Sequence, residues 1–350
     1  MNTDEYRNDW SARAPRPATR AAAPRPETPA RAPRRSRRRV IVAVLLVVLL
    51  FPLVFGGWLW FHADAAIHRI DAFPDYPGRP AAGAGTNWLI VGSDSREGLD
   101  PETAEQLHVG DADGQRTDTI LIAHLPDNST APTLVSIPRD SQVPIPGHGR
   151  DLINAAFAIG GPHLLARTVE QATGLRIDHY AEIGFGGFAQ MVDAVGGVEM
   201  CLDQQMHDDK TGQTLPAGCQ ELDGAQALTF VRMRYSSATP RSDLDRVANQ
   251  RRFIGALASE ASSFGTLVNP FATYQLADAG ASALTMLESD GLGDLLSLAW
   301  AMRGISSGEV VTTTVPVTDS SAHQWHKQRA SELFDALSTD APVPEDVILR

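Results

Sequence analysis

Cysteine and lysine are nearly absent from this 350-residue chain. It has two cysteines, Cys201 and Cys219, and two lysines, Lys210 and Lys327; every other basic residue is arginine. Two cysteines without CxxC or Cys/His spacing exclude a structural zinc site. The ten histidines include no HExxH, and the glycines form no GxGxxG and no P-loop, so neither zincin nor nucleotide-cradle chemistry has a motif to rest on. Positive charge is scarce beyond residue 39. The first 39 residues carry eleven arginines against four acidic residues, while the rest carries nineteen basic against 38 acidic. A nucleic-acid binder concentrates its positive charge on the folded domain, so that partner class is excluded. An apolar fraction of 43% and a charged fraction of 21% also exclude wholesale disorder and collagen-like repeats.

What is present is ordered along the chain. Residues 1–39 are rich in Ala, Pro and Arg without apolar periodicity, and read as a disordered basic tail. Val40 to Phe61 follow without a charge. Those residues suffice to cross a hydrocarbon core of about 30 Å. A cleaved signal peptide has a shorter apolar region of about 7–15 residues and a small-residue cleavage site. Here the run ends in Trp58, Trp60 and Phe61, which suit an interfacial aromatic belt. The segment therefore reads as a transmembrane signal-anchor helix. Arg34, Arg35, Arg37, Arg38 and Arg39 abut its front end. The positive-inside rule places the N-terminus in the cytoplasm and the body outside the cytoplasmic membrane, a single-pass arrangement. Residues 62–85 are expected to form a stalk, and 86–340 one extracytoplasmic domain.

Cys201 and Cys219 fall in the external part. An isolated pair on the oxidising side predicts a disulfide, the alternative being two reduced core thiols. The loop it closes makes it worth about 3 kcal/mol in the chain-entropy model.

Short β-branched runs at 87–92, 118–125, 133–138 and 309–317 predict strands. Helical patterns cover 154–173, 186–195, 223–233, 243–264, 270–303 and 324–338. The pattern reads as one α/β domain preceded by the transmembrane helix. WLIVGSDSR runs from strand into loop and delivers Asp94 and Arg96. RTDTILIAHL places Arg116 and Asp118 before a strand. TLVSIPRDS delivers Arg139 and Asp140 after one. If these strands run up, down and up, all three groups emerge at one sheet edge.

A second cluster packs Arg232, Arg234, Arg241, Arg246, Arg251 and Arg252 against only Asp243 and Asp245. Ser242 is an N-cap candidate, so a helix is expected from Asp243, with Arg246 and Gln250 on one face. A charge run of this kind also fits a solvated, salt-bridged surface. Arginine suits bidentate phosphate recognition. Carboxylates beside it would repel phosphate unless a cation bridges them, and Mg²⁺ takes one or two carboxylates plus phosphates. The spacing thus points to an arginine-rich, metal-assisted diphosphate site. DADG at 111–114 lacks the rest of a calcium loop, and His124 and His179 read as structural.

At these residues the chain resembles the LytR-CpsA-Psr family of bacterial cell-wall ligases. The matching pieces, in order, are GSDSR (92–96), RTDT (116–119), SIPRDS (136–141), INAAFAIGG (153–161), IDHYAEIGFGGFAQMVDAVGGVEM (177–200), GAQALTFVRMRY (224–235) and DLDRVANQRRFI (243–254). The resemblance covers roughly 86–320 and implies an α/β fold class, a single α-β-α domain with a central mixed sheet flanked by helices. It implies a polyprenyl-pyrophosphate-linked glycan donor, a peptidoglycan acceptor, Mg²⁺ as cofactor and release of polyprenyl phosphate. It assigns Asp94 and Asp118 to the metal, and Arg96, Arg116, Arg139, Arg232, Arg234, Arg246 and Gln250 to the diphosphate. Asp94, Asp118 and Arg116 form the catalytic set, with either carboxylate able to serve as base. The chain departs from the family pattern at Asp245, Asn249 and Leu152, which touches the fine phosphate contacts. Two other functions fit the same residues: a polyprenyl-pyrophosphate phosphatase using water as acceptor, and a non-catalytic membrane sensor of lipid-linked intermediates.

Overall fold

The sequence TNWLIVGS buries side chains on both faces, as a strand in the middle of a layered sheet must. Its neighbours show how the layers form. The computed structural model describes residues 34–94, 117–207, 212–233, 243–261, 263, 269–305, 307–319 and 322–349; the side chains of 34–37, 118, 243–248, 251 and 258 lie outside that description. Two compact units make up the chain, Met1–Leu53 and Val54–Arg350.

In chain order the elements are α1 (Arg34–Ala66), β1 (His68–Ile70), β2 (Thr86–Ser93), β3 (Thr117–Leu125), β4 (Thr133–Ile137), β5 (Gln142–Ile145), β6 (Gly149–Leu152), α2 (Ile153–Thr173) and β7 (His179–Gly184). Then come α3 (Phe185–Ala194), β8 (Val198–Leu202), β9 (Met206–His207), β10 (Thr214–Leu215), β11 (Gly218–Leu222), α4 (Gly224–Arg232), α5 (Asp243–Ala261) and α6 (Pro270–Ser282). Last are β12 (Leu284–Leu287), α7 (Leu292–Met302), β13 (Val311–Thr314) and α8 (Lys327–Ser338).

Seven strands form a mixed sheet in the order β1-β12-β7-β2-β3-β4-β13. Alternation along each strand splits the core into two. Leu89, Val91, Ile120, Ile122, Val135 and Ile137 face α2 and α8, meeting Leu165, Val169, Leu333 and Phe334. Trp88, Leu121, Ala123, Leu134 and Met286 face the other way, toward Ala63 and Ile67, Ala281 of α6 and Leu298 of α7. Full burial of each large aliphatic chain contributes about 1.5–3 kcal/mol. This α-β-α sandwich is the expected fold class.

A smaller core lies to one side, where Val198, Met200 and Leu222 of the β8–β11 hairpin pack with Phe230 of α4 and Phe253 of α5. Cys201 and Cys219 sit directly opposite one another in that hairpin and form the expected disulfide. Close helix packing here depends on small residues. A Cβ at Gly187 would lie 2.5 Å from the Ala283 Cβ, and one at Gly224 would lie 2.5 Å from the Ala189 carbonyl oxygen.

The helical pattern expected across 270–303 is interrupted. Leu284–Leu287 leaves the helix register and pairs with β1 on one side and β7 on the other. Backbone pairing with both neighbours outweighs helix propensity there. Residues 62–85 supply the last turns of α1 and strand β1, and the irregular part is tied down by a buried ion pair. Arg79 Nη2 lies 3.0 Å from Glu170 Oε1, and Glu170 also accepts from the Tyr76 hydroxyl at 2.8 Å and from the Ile177 amide at 3.0 Å. Burial, with the Glu170 carboxylate adding to it, pushes the Tyr76 phenol well above its usual range.

Candidate functional site

Strand register decides which sequence motifs meet. Ser93, the last residue of β2, pairs with Thr117, the first of β3, and Ile137, the last of β4, pairs with Ile120. The three strands run antiparallel in turn, so Asp94, Asp118 and Arg139 are placed at adjacent strand ends on one edge. β7 is parallel to β2, and its last residue, Gly184, pairs with Ser93. The first residue of α3, Phe185, is therefore delivered to the same edge.

Asp118 occupies an irregular position. Gly92 pairs with Thr119 and Ser93 with Thr117, leaving Asp118 as the extra residue of a bulge. Bulges re-aim a side chain and recur beside active sites. Gly92 fits this crossing because a Cβ there would lie 3.1 Å from the Thr119 Cβ. Beyond β4, the Arg139 Nε lies 3.6 Å from Asp140 Oδ1, with 22% and 20% of the two side chains exposed. The Arg139 carbonyl accepts from the Asn154 amide at 3.3 Å, fixing this turn to the start of α2. Ser141 is buried and accepts from Trp325 Nε1 at 2.9 Å, which gives it a structural role.

The arginine cluster reaches this edge through α4. That helix starts in a capping box: Asp223 Oδ1 accepts from the Gln226 amide at 2.8 Å, and Gln226 Oε1 accepts from the Asp223 amide at 3.2 Å. It ends at Arg232, where a cation complements the helix dipole. The Arg232 guanidinium stacks over the Phe185 ring, 4.3 Å from its centre. Gln250 Nε2 donates to the Val231 carbonyl at 3.2 Å, holding α5 against the last turn of α4. Arg246 lies one turn earlier on the same helix, so the i, i+4 relation with Gln250 is realised.

The cluster has more than one use. Arg252 donates from Nη2 to the Cys201 carbonyl at 2.9 Å and binds α5 to the disulfide hairpin. Arg96, Arg116 and Arg234 lie outside the described residues, as do the side chains of Asp118 and Arg246. Phe185, the platform under Arg232, was not singled out in the sequence. Its signal was an aromatic immediately after a strand, in IGFGGF.

The two histidines weighed above are structural. His124 is buried at the opposite edge, within 2.9 Å of Asn87 Oδ1 through Nδ1 and of Asp340 Oδ1 through Nε2; burial pushes its pKa below the ordinary value. His179 stacks on Trp88 at 4.5 Å and bonds Asp290 Oδ1 at 2.8 Å through Nδ1.

The chain is similar to known proteins in fold and in sequence. The LytR-Csp2A-Psr enzyme from Actinomyces oris superposes with a TM-score of 0.60 at 22% identity, covering 78% of this chain and 96% of that one, which shows a shared fold. In sequence, the chain is 50% identical over 292 residues to the probable cell wall biosynthesis protein LcpB of Corynebacterium glutamicum, spanning 81% of this chain and 68% of LcpB. It is 36% identical over 231 residues to the polyisoprenyl-teichoic acid–peptidoglycan teichoic acid transferase TagU of Oceanobacillus iheyensis, spanning 64% of this chain and 66% of TagU. The LytR_cpsA_psr family model matches residues 71–339, across the sheet edge and the arginine helices alike, and the chain belongs to that family.

Proposed function

We propose that this chain is a membrane-anchored phosphotransferase that moves an anionic glycopolymer from a polyprenyl-pyrophosphate carrier to a peptidoglycan sugar hydroxyl. The names of LcpB and TagU support cell-wall glycopolymer transfer. The observation that carries the site is the meeting of the Asp94, Asp118 and Arg139 strand ends with Arg232, seated on Phe185 at the same edge. Among the described residues one helix, α1, is long and apolar enough to cross a membrane. In this reading it is the anchor, with the N-terminus cytoplasmic and the domain outside.

Arg139 and Arg232, with Arg96, Arg116, Arg234, Arg246 and Gln250, bind the diphosphate through charge-assisted bonds. Asp94 and Asp118, on adjacent strand ends, would hold a Mg²⁺ ion, which would supply charge neutralisation at the diphosphate. One of the two carboxylates orients the acceptor hydroxyl and takes its proton. The hydroxyl oxygen forms a bond to the glycan-linked phosphorus. The bond from that phosphorus to the bridging oxygen breaks, and polyprenyl phosphate leaves with the electron pair. The arginines stabilise the charge that develops on it.

The test is a product assay with full-length protein, a defined lipid-linked donor and peptidoglycan, with and without Mg²⁺. Mg²⁺-dependent glycan joined to peptidoglycan through phosphate supports transfer. Release of free glycan phosphate alone indicates hydrolysis, and donor binding without turnover indicates a sensor.

A further inference from the structure

We propose that the N-terminal turn of α6, with Phe271 at its tip, is a second membrane contact that enters the same leaflet α1 leaves. This rests on the reading of α1 as a membrane anchor. The contacts between the two helices set their relative height. Trp58 stacks on Tyr274 at 5.8 Å, His62 stacks on the same ring at 5.5 Å, and His62 Nε2 lies 3.0 Å from Asp278 Oδ1. Later residues of α1 meet later residues of α6, so the helices run parallel. Residue 58 is level with 274, and 62 with 278.

Extending that relation downward puts Phe271 level with Phe55. The uncharged run of α1 continues to Phe61, so Phe271 lies roughly 9 Å inside its end at 1.5 Å per residue. Interfacial segments bury their apolar side to about 5–10 Å. Phe271 is 79% exposed, a large aromatic that no described part of the protein covers. From Asn269 to Ala277 the sequence has no charged residue, and it includes Phe271, Tyr274 and Leu276. In a strongly acidic body, that composition suits hydrocarbon and headgroups rather than water.

The other end of α6 points to the reaction edge. Leu284, which follows it, pairs with Ile183 beside the end of β7. From Phe271 to that residue is roughly 20 Å of helix. With Phe271 roughly 9 Å inside the apolar run, a membrane-seated α6 sets that edge roughly 10 Å beyond the end of the run.

The experiment places a nitroxide on the full-length chain in phosphatidylethanolamine/phosphatidylglycerol vesicles. Both native cysteines are in the disulfide, so a single new thiol takes the label. Three variants are compared: Phe271→Cys, Ser282→Cys at the far end of α6, and Val47→Cys within α1. Phe271 is exposed, so its replacement leaves the core intact. Collisions with oxygen should exceed those with a water-soluble nickel chelate at 271 and 47, and the reverse should hold at 282. A label at 271 that meets the chelate as freely as 282 does, with 47 in lipid, overturns the proposal and leaves the anchor standing. Shielding of 271 from both colliders also overturns it, in favour of a protein contact. Chelate access at 47 removes the anchor reading, and this inference with it.

Discussion

Arg232 and Phe185 lie 47 residues apart in the sequence, yet the guanidinium rests on the ring with 4.3 Å between its carbon and the ring centre. Phe185 begins α3 where β7 ends beside β2, so this one stacking contact ties the arginine helices to the carboxylate edge. Arg232→Ala is expected to lower both donor binding and transfer by roughly 10–100-fold, the value of a charge-assisted bond to phosphate. Phe185→Leu keeps the charge and loses the platform, so its effect should be smaller. Steady-state kinetics on both variants check the order.

Arg246→Ala should cut transfer by a comparable factor, roughly 10–100-fold. Arg303 stacks on the exposed Trp300 ring at 4.0 Å, and Arg303→Ala should leave transfer within about twofold of wild type. Equal, small effects of the two variants would assign the 232–252 cluster to solvent.

Asp94→Asn and Asp118→Asn are expected to abolish transfer by a different route. Each should raise the Mg²⁺ concentration needed for activity, while donor binding through the arginines persists. Calorimetric titration of Mg²⁺ and of donor separates the two effects. Loss of donor binding with unchanged Mg²⁺ affinity would contradict the assignment.

Glu170→Ala removes the buried partner of Arg79, whose side chain is 9% exposed, and leaves it only the exposed Asp75 carboxylate at 3.0 Å. Breaking such a pair costs about 3–5 kcal/mol. Urea unfolding should show that loss. Limited proteolysis should open the 71–85 segment, which Arg79 and Tyr76 fasten to α2.

The His179–Asp290 contact predicts a pH dependence of stability. Burial disfavours the imidazolium, but the Asp290 hydrogen bond and charge prevail, and the His179 pKa is raised in the folded state. A raised folded value means the pair stabilises fully below the unfolded pKa of about 6.5, and that contribution is lost as pH rises through the folded value. The stability gap between wild type and His179→Gln, measured by urea midpoints, should be larger at pH 5.5 than at pH 8.5. A gap that grows with pH would reverse the assignment.

Periodicity and local chemistry set much of this molecule before any packing. An uncharged apolar run fixes α1, and β-branched runs fix β2, β3 and β4 within a residue or two. Asp223 and Gln226 fix the start of α4 with their own side chains. The up-down-up relation of the three charged motifs was also legible, because each motif borders a strand end. Other features depend on distant partners. LTML at 284–287 reads as helix by itself and becomes a strand only because β1 and β7 flank it. The division of the arginine cluster, with Arg232 on Phe185 and Arg252 on the Cys201 carbonyl, follows from how α4 and α5 pack on the hairpin. The sequence placed charge at the ends of strands and along helices. Only tertiary packing, through small residues at Gly187 and Gly224 and the register of β7 on β2, decided which of those charges share one edge.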